Sequence, residues 1–194
     1  MKPYSILLVI ICFQLVCCKN AGNPATSPEN DEWTSLATKT VNYWEGRTMI
    51  LPNSLPHING GSDSLTGSSK FKMVTYVDGT CSTCVDNLSQ WTKFMKDVNQ
   101  NGEKCRFIFY INTDDPKVFQ KTAMDKTGFK ADWYQDKKRQ FIKTNNLYDL
   151  RFQTALLDST DHVILIGSMS FRPQLEELYK KTLKQLNSEL IVSQ

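Results

Sequence analysis

The 194-residue sequence has only two histidines, no clustered basic stripe and no phosphate-binding loop, and these absences exclude several kinds of protein. Its net charge of +3 comes from 23 Lys and Arg dispersed among 20 Asp and Glu, which argues against nucleic-acid binding. Neither a Gly-x-Ser-x-Gly elbow nor a His-Glu-x-x-His pair occurs. We therefore expect no cofactor and no resident metal, and the length suits one domain with a tail.

Long hydrophobic runs are also scarce. The apolar stretch from Tyr4 to Cys18 is too short to span a bilayer of about 30 Å but has the length of a signal-peptide core. A polar segment with Pro and Gly follows it from Lys19. We predict a signal peptide over 1–17, a flexible tether over 18–30, an N-terminal extension and loop over 31–69, and the main domain over 70–194.

The segment Leu15-Val16-Cys17-Cys18 resembles a bacterial lipobox, although Cys17 replaces the usual Gly, Ala or Ser. The resemblance implies cleavage before Cys18 and attachment of diacylglycerol to its thiol, which would anchor the protein to a membrane. We expect it in the cell envelope of a Gram-negative bacterium, facing the periplasm. Because Lys19 rather than Asp follows the anchor, the outer membrane is preferred over the inner one. An ordinary secretory leader is the alternative.

Strand and helix patterns alternate through the rest of the chain. Apolar residues three or four apart predict helices, and β-branched or aromatic runs between turn residues predict strands. The predicted elements are a helix from Asp31, a strand over 47–52, a loop over 58–69, a strand over 71–77, a helix carrying Val85 to Val98, a strand over 106–111, a helix from Pro116, a short strand over 129–134, a hairpin of 151–157 and 162–167, and a helix from Pro173. Such alternation predicts a parallel βαβ core.

Two cysteines, Cys81 and Cys84, lie where the first core strand gives way to a helix. A helix N-terminus favours thiolate over thiol, so Cys81 could attack a disulfide and Cys84 could resolve the mixed disulfide. Two other interpretations stay open: a stabilising disulfide without turnover, and metal binding, for which zinc would need four ligands. Cys105 begins a strand and is interpreted as a buried core thiol.

The Cys81-Ser82-Thr83-Cys84 motif after a buried strand, in a β-α-β-α-β-β-α order, resembles the thioredoxin fold over Phe71 to Leu186. More closely, the chain is similar to membrane-anchored, thioredoxin-like thiol:disulfide oxidoreductases of bacterial envelopes. The resemblance implies an α/β fold with a mixed central sheet flanked by helices. It also implies that the partners are protein or small-molecule thiols and disulfides of the periplasm.

The chain departs from that family at the loop that holds substrate. Family members carry a cis-proline there, but no proline occurs between Pro116 and Pro173, and Phe152 or Gln153 occupies the place. The resemblance makes Phe152, Gln153 and Thr154 the candidate substrate-binding loop. A non-proline cis bond costs about 2.5–4 kcal/mol, so we expect a trans bond. The alternative function is a non-catalytic lipoprotein whose thioredoxin-like domain has a structural disulfide and binds a partner.

The lipid anchor has a direct test. Replacing the proposed attachment site, Cys18→Ala, should abolish incorporation of labelled acyl chains, because no thiol would remain at the position where the thioether forms. Metabolic labelling followed by gel electrophoresis measures this. Unchanged labelling would contradict the lipobox interpretation.

Overall fold

A computed structural model of the protein describes residues 28–59 and 69–192. The predicted signal peptide, the lipidation site Cys18 and tether residues 18–27 lie outside these ranges. The chain divides into two compact units, 1–39 and 40–194. In the first unit the described residues, 28–39, are all helical. The sheet and helices α2 to α6 belong to the second unit.

The described elements follow the predicted alternation of strands and helices. In chain order they are α1 (Pro28–Trp44), β1 (His57–Ile58), β2 (Lys72–Asp78), α2 (Ser82–Asp86), α3 (Leu88–Gln100), β3 (Arg106–Asn112), α4 (Pro116–Thr127), β4 (Trp133–Gln135), α5 (Gln140–Asn145), a 3-10 turn (Leu150–Phe152), β5 (Thr154–Leu157), β6 (Val163–Ile166) and α6 (Gln174–Val192). None of the helices within the described ranges is long and apolar enough to cross a membrane.

The six strands form one mixed sheet in the order β1-β4-β3-β2-β5-β6. Strands β2, β3 and β4 run parallel, whereas β5 is antiparallel to β2 and β6, and β1 is antiparallel to β4. The predicted mixed sheet with flanking helices is therefore confirmed, as are the parallel β2–β3 pair and the β5–β6 hairpin. In this arrangement β2 occupies the interior of the sheet, and both of its edges are hydrogen-bonded.

The main hydrophobic core joins the sheet to four helices, and Val85 is the residue that α2 contributes. Residues of alternate positions on β2 and β3, such as Met73 and Phe109, belong to the same buried cluster as residues of α3, α4 and α6. Aromatic rings meet edge to face here, with Trp91 and Phe109 centroids 5.2 Å apart. Trp91 and Trp133 are buried, and so is Cys105, as predicted. The core thus fixes α3 against the strand that leads into the cysteine motif.

Tyr110 lies between two core residues of β3, and side chains alternate along a strand, so its ring faces the other side of the sheet. There it stacks on Phe141 of α5 with ring centroids 4.7 Å apart. Asn145, at the end of α5, accepts a hydrogen bond from the Ile50 N–H at 2.9 Å and donates to the Ile50 carbonyl at 2.8 Å. Helix α5 and the segment around Ile50 are thereby locked together.

Helix α4 shows why several boundaries could be predicted from local sequence. The Asp115 carboxylate accepts hydrogen bonds from the N–H groups of Lys117 and Val118, and Pro116 occupies the first turn. The helix ends at Gly128, whose φ of +69° suits glycine. Helix α6 likewise begins directly after Pro173, and α1 begins at Pro28, three residues before the predicted Asp31.

Four predicted elements were wrong in detail, and one of them is the short strand over 129–134, which is only Trp133–Gln135. The strand over 47–52 is only an isolated bridge between Thr48 and His162, because the Ile50 backbone pairs with the Asn145 side chain instead of a strand. The single helix through Val85 to Val98 is divided at Asn87, where the Gln90 N–H bonds to the Asn87 carbonyl three residues back. The strand over 151–157 begins only at Thr154, because the Asp149 carboxylate caps a 3-10 turn before it.

Asn145 offers a test of how α5 is held. The variant Asn145→Ala should lower the free energy of unfolding by about 2–3 kcal/mol, because it removes three hydrogen bonds of a buried side chain, to the Ile50 N–H and to the carbonyls of Ile50 and Phe141. Urea denaturation followed by fluorescence measures the change. Thr144→Ala, at an exposed position of the same helix, is the matched control and should change stability by less than about 0.5 kcal/mol. Equal effects of the two variants would contradict the proposed role of Asn145.

Candidate active site

The predicted cysteine motif lies at the carboxyl end of β2, where the chain turns into α2. The Cys81 N–H donates to the Asp78 carbonyl at 3.1 Å, which closes a tight turn through Gly79 and Thr80. Cys81 is the N-cap of α2, and its own carbonyl accepts the Val85 N–H at 3.0 Å. The strand end and the helix start therefore both fix the backbone of Cys81.

The structure brings Cys81 and Cys84 together as free thiols, each partly exposed. The Sγ of Cys81 accepts the backbone N–H of Cys84 at 3.3 Å. A hydrogen bond from an N–H group stabilises a thiolate more than a thiol, because the acceptor then carries the negative charge.

The Cys84 thiol has a raised pKa. Burial raises the pKa of the Cys84 thiol to about 12, and its contact with Cys81 and the charge of Asp78 act in the same direction. At pH 7 Cys84 therefore keeps its proton. Since the thiolate is the nucleophile, Cys84 is the poor nucleophile of the reduced pair, and Cys81 is the candidate for the attacking thiol.

Asp78 holds the turn that carries the cysteines. One carboxylate oxygen accepts hydrogen bonds from the Thr80 N–H at 3.1 Å, the Thr80 hydroxyl at 2.7 Å and the Asn112 side-chain amide at 3.2 Å. The other oxygen pairs with the Arg139 guanidinium at 3.2 Å. Partial burial raises the pKa of Asp78, but the hydrogen bonds and Arg139 together outweigh it, so the pKa lies below its usual value.

Gly79 is required in this turn because another chain segment approaches it closely. Its N–H donates to the Asn112 carbonyl at 2.8 Å. A Cβ at this position would lie 2.8 Å from that oxygen and 2.8 Å from the Phe119 ring. Neither the strand end nor the buried ring can move away easily, so the turn has room only for glycine.

The predicted substrate-binding loop lies beside β2, with its side chains turned away from solvent. Phe152, Gln153 and Thr154 are all buried. The Gln153 carbonyl accepts the Tyr76 N–H at 3.1 Å, and its side-chain amide donates to the Leu147 carbonyl at 2.9 Å. Among the described residues no peptide bond is cis, so the bond at Gln153 is trans, as expected.

Other residues considered for chemistry lie apart from the pair. Cys105 is fully buried, and burial raises the pKa of its thiol, which fits the interpretation of a core residue. His57 lies on β1 and His162 precedes β6. Within residues 28–59 and 69–192, no three His, Cys, Asp or Glu side chains form a group that could hold a metal ion.

Two residues of this site were not identified from the sequence. Asp78 directly follows the predicted strand over 71–77, and Arg139 stands in a basic run with Lys137 and Lys138. The signal for Asp78 was present, since an Asp two residues before Thr commonly caps a turn. No local signal predicts Arg139, because 61 positions separate it from Asp78.

Comparisons with known proteins identify the fold. No protein-family model matches the chain, and no curated protein matches it in sequence. An uncharacterised thioredoxin-like protein from Porphyromonas gingivalis is similar in structure, with a TM-score of 0.52 and 17% identity over 75% of this chain and 95% of that one. A thioredoxin-like protein in its oxidised form gives 0.50 and 11% identity over 73% and 96%. The thioredoxin domain of a thiol-disulfide oxidoreductase from Bacteroides vulgatus gives 0.45 and 13% over 69% and 96%.

The first two likenesses show that the chain has a thioredoxin-like fold. They cover about three quarters of this chain and nearly all of the two neighbours. The expected fold class is thereby confirmed.

The difference between the two thiols can be measured directly. In the reduced protein at pH 7, iodoacetamide should alkylate Cys81 at least about 10-fold faster than Cys84, because Cys84 keeps its proton. As pH rises towards 12, labelling of Cys84 should increase, since its thiol then ionises. Peptide mass spectrometry quantifies each site. The unfolded protein is the control and should be labelled equally at both; equal labelling in the folded protein would contradict the assignment.

Proposed function

We propose that the protein exchanges thiols and disulfides through Cys81 and Cys84 in a bacterial cell envelope. The observation that carries the proposal is the hydrogen bond from the Cys84 N–H to the Cys81 sulfur, at the end of the central strand β2. This hydrogen bond joins the two cysteines in one site, and only the Cys81 sulfur accepts it. A structural cysteine would need neither partial exposure nor a donor aimed at its sulfur.

In the first step the Cys81 thiolate attacks one sulfur of a substrate disulfide. A bond forms between Cys81 Sγ and that sulfur, the substrate S–S bond breaks, and the leaving thiolate takes up a proton from solvent. Because Cys81 is partly exposed, a substrate sulfur can approach it from solvent. The product is a mixed disulfide between protein and substrate.

In the second step Cys84 resolves that mixed disulfide. Two of the contributions that raise the pKa of Cys84 come from Cys81, its hydrogen bond and its charge. Both disappear when Cys81 is bonded to substrate, so Cys84 ionises more easily at that moment. Its thiolate attacks Cys81 Sγ, a Cys81–Cys84 bond forms, and the second substrate thiolate leaves.

Over both steps the substrate disulfide gains two electrons and two protons, and the cysteine pair is oxidised by two electrons. A dithiol donor must then reduce the pair before another turnover. The same steps run in reverse when the oxidised pair meets a substrate dithiol. We propose protein or small-molecule thiols and disulfides of the periplasm as the substrates.

The loop of Phe152, Gln153 and Thr154 is proposed to border the bound substrate. Its register places it beside the end of β2, since Thr154 pairs with Thr75 and the Gln153 carbonyl bonds to the Tyr76 N–H. Because all three side chains are buried, we propose that the loop acts through its backbone and shape. Residues 1–18 support the proposed location, with Cys18 as the lipid anchor on the periplasmic side.

A trapping experiment tests this function. Cys84→Ser removes the resolving thiol, so a purified variant mixed with a model peptide disulfide should accumulate a mixed disulfide through Cys81. The wild type should instead release reduced peptide and form its own disulfide. Non-reducing electrophoresis and mass spectrometry detect both products. Attack should be at least about 10-fold faster than attack by free cysteine at pH 7.

The matched control is Cys81→Ser, which keeps one thiol of the pair but should form no adduct at a comparable rate. If Cys84→Ser forms no adduct, or forms it no faster than free cysteine does, thiol exchange is wrong. The alternative of a non-catalytic, partner-binding domain with a structural disulfide would then be favoured.

A further inference from the structure

The Asp78–Arg139 ion pair connects the cysteine turn to a distant part of the chain. Asp78 ends β2, and Arg139 immediately precedes α5. Their 3.2 Å contact is one of four that the Asp78 carboxylate makes, and the other three go to Thr80 and Asn112. The carboxylate is therefore both a structural support for the turn and a negative charge three residues from Cys81.

The backbone of Arg139 is held in a conformation that non-glycine residues seldom adopt. Its φ is +53° and its ψ is +43°, in the left-handed region. The Arg139 N–H donates to the Asp136 carbonyl at 3.0 Å, and its own carbonyl accepts the Lys143 N–H at 3.0 Å. The fully buried Asp136 carboxylate accepts the N–H groups of Gln140 and Phe141. The surrounding contacts thus impose this conformation and direct the guanidinium to Asp78.

The charge of Asp78 matters to the cysteines because thiol exchange places negative charge on sulfur. Asp78 is among the groups that raise the pKa of Cys84, after burial and Cys81. A carboxylate without a counter-ion would likewise oppose a thiolate at Cys81. The titratable and charged groups of the surrounding elements include Tyr76 and Asp78 of β2, Cys81, Cys84 and Asp86 around α2, Lys126 of α4 paired with Asp86, and Asp136 and Arg139 before α5.

We infer that Arg139 is a positioning residue for the cysteine pair and acts through Asp78. It neutralises the carboxylate that the turn needs for its hydrogen bonds, so the turn is held without a net negative charge opposing the Cys81 thiolate. This inference rests on the proposed function, since thiolate reactivity matters only if Cys81 attacks disulfides. It adds a residue that contacts neither cysteine in the described structure.

Two substitutions should act in opposite directions. Arg139→Met keeps a Cβ, and hence the same backbone strain, but leaves Asp78 uncompensated. Asp78→Asn removes the negative charge and keeps an oxygen that accepts hydrogen bonds from Thr80. A purely structural role would shift both variants in the same direction or not at all. Since the Arg139 side chain is 55% exposed, solvent screening keeps each shift small, at about half a pH unit.

The experiment measures iodoacetamide alkylation of Cys81 as a function of pH, with Cys84→Ser as the common background. The pH of half-maximal rate should rise by about half a unit in Arg139→Met and fall by a similar amount in Asp78→Asn. The double variant should return close to the background value. In Arg139→Lys most of the shift seen in Arg139→Met should be absent, because lysine keeps the positive charge beside Asp78. Thermal unfolding of each variant confirms that it is folded.

Lys138→Met is the matched control, because Lys138 is the exposed, equally charged neighbour of Arg139. It should shift the curve by less than half as much as Arg139→Met. Equal shifts from Lys138→Met and Arg139→Met, or shifts of one sign from Arg139→Met and Asp78→Asn, would overturn the inference.

The alkylation assay needs no substrate disulfide, so its outcome is separate from the trapping experiment. If peptide exchange succeeds while the pH curves coincide, the role of Arg139 is wrong and the proposed function stands. If exchange fails while the curves shift in opposite directions, the proposed function is wrong, and Arg139 tunes a thiol with another use.

Discussion

The parallel pairing of β2 with β3 determines where every part of the candidate site lies. The register runs from Lys72 opposite Arg106 to Asp78 opposite Asn112, so both strands end at the same edge of the sheet. Asp78 and Asn112 are therefore neighbours before either side chain makes a contact. The Asn112 carbonyl then accepts the Gly79 N–H, and its side-chain amide donates to Asp78. Without that register the turn before Cys81 would lose its support from β3.

The two cysteines, only three positions apart, have different local surroundings. Cys81 caps a helix and receives an N–H group, whereas desolvation is the largest influence on Cys84. Side chains that alternate along the strands are buried on both faces of the sheet. Met73 and Val77 of β2 belong to the core shared with α3, while Tyr110 of β3 stacks under α5. Both faces of β2 are covered, since Met73 to Val77 are all buried, and the site lies at the carboxyl end of this strand.

Much of the fold could be predicted from the sequence because its signals are local. The cap at Asp115, the turn over 158–161 and the apolar stripe of α3 each depend on residues within about one turn or hairpin of one another. The position of Cys81 and Cys84 at a strand–helix junction followed for the same reason. What could not be predicted depends on distant contacts. Asn145 binds Ile50 across 95 positions, and Arg139 reaches Asp78 across 61.

The backbone contacts of residues 46–48 have a consequence for how partners can approach the sheet. Strand β6 ends the sheet on one side, and its outer edge would otherwise offer unpaired N–H and carbonyl groups to any extended chain. Here the Gly46 N–H donates to the Val163 carbonyl, the Val163 N–H donates to the Arg47 carbonyl, and Thr48 bridges to His162. The chain thus covers the first residues of this edge with its own backbone. Strand addition there is blocked, both as a mode of recognition and as a route to edge-to-edge aggregation.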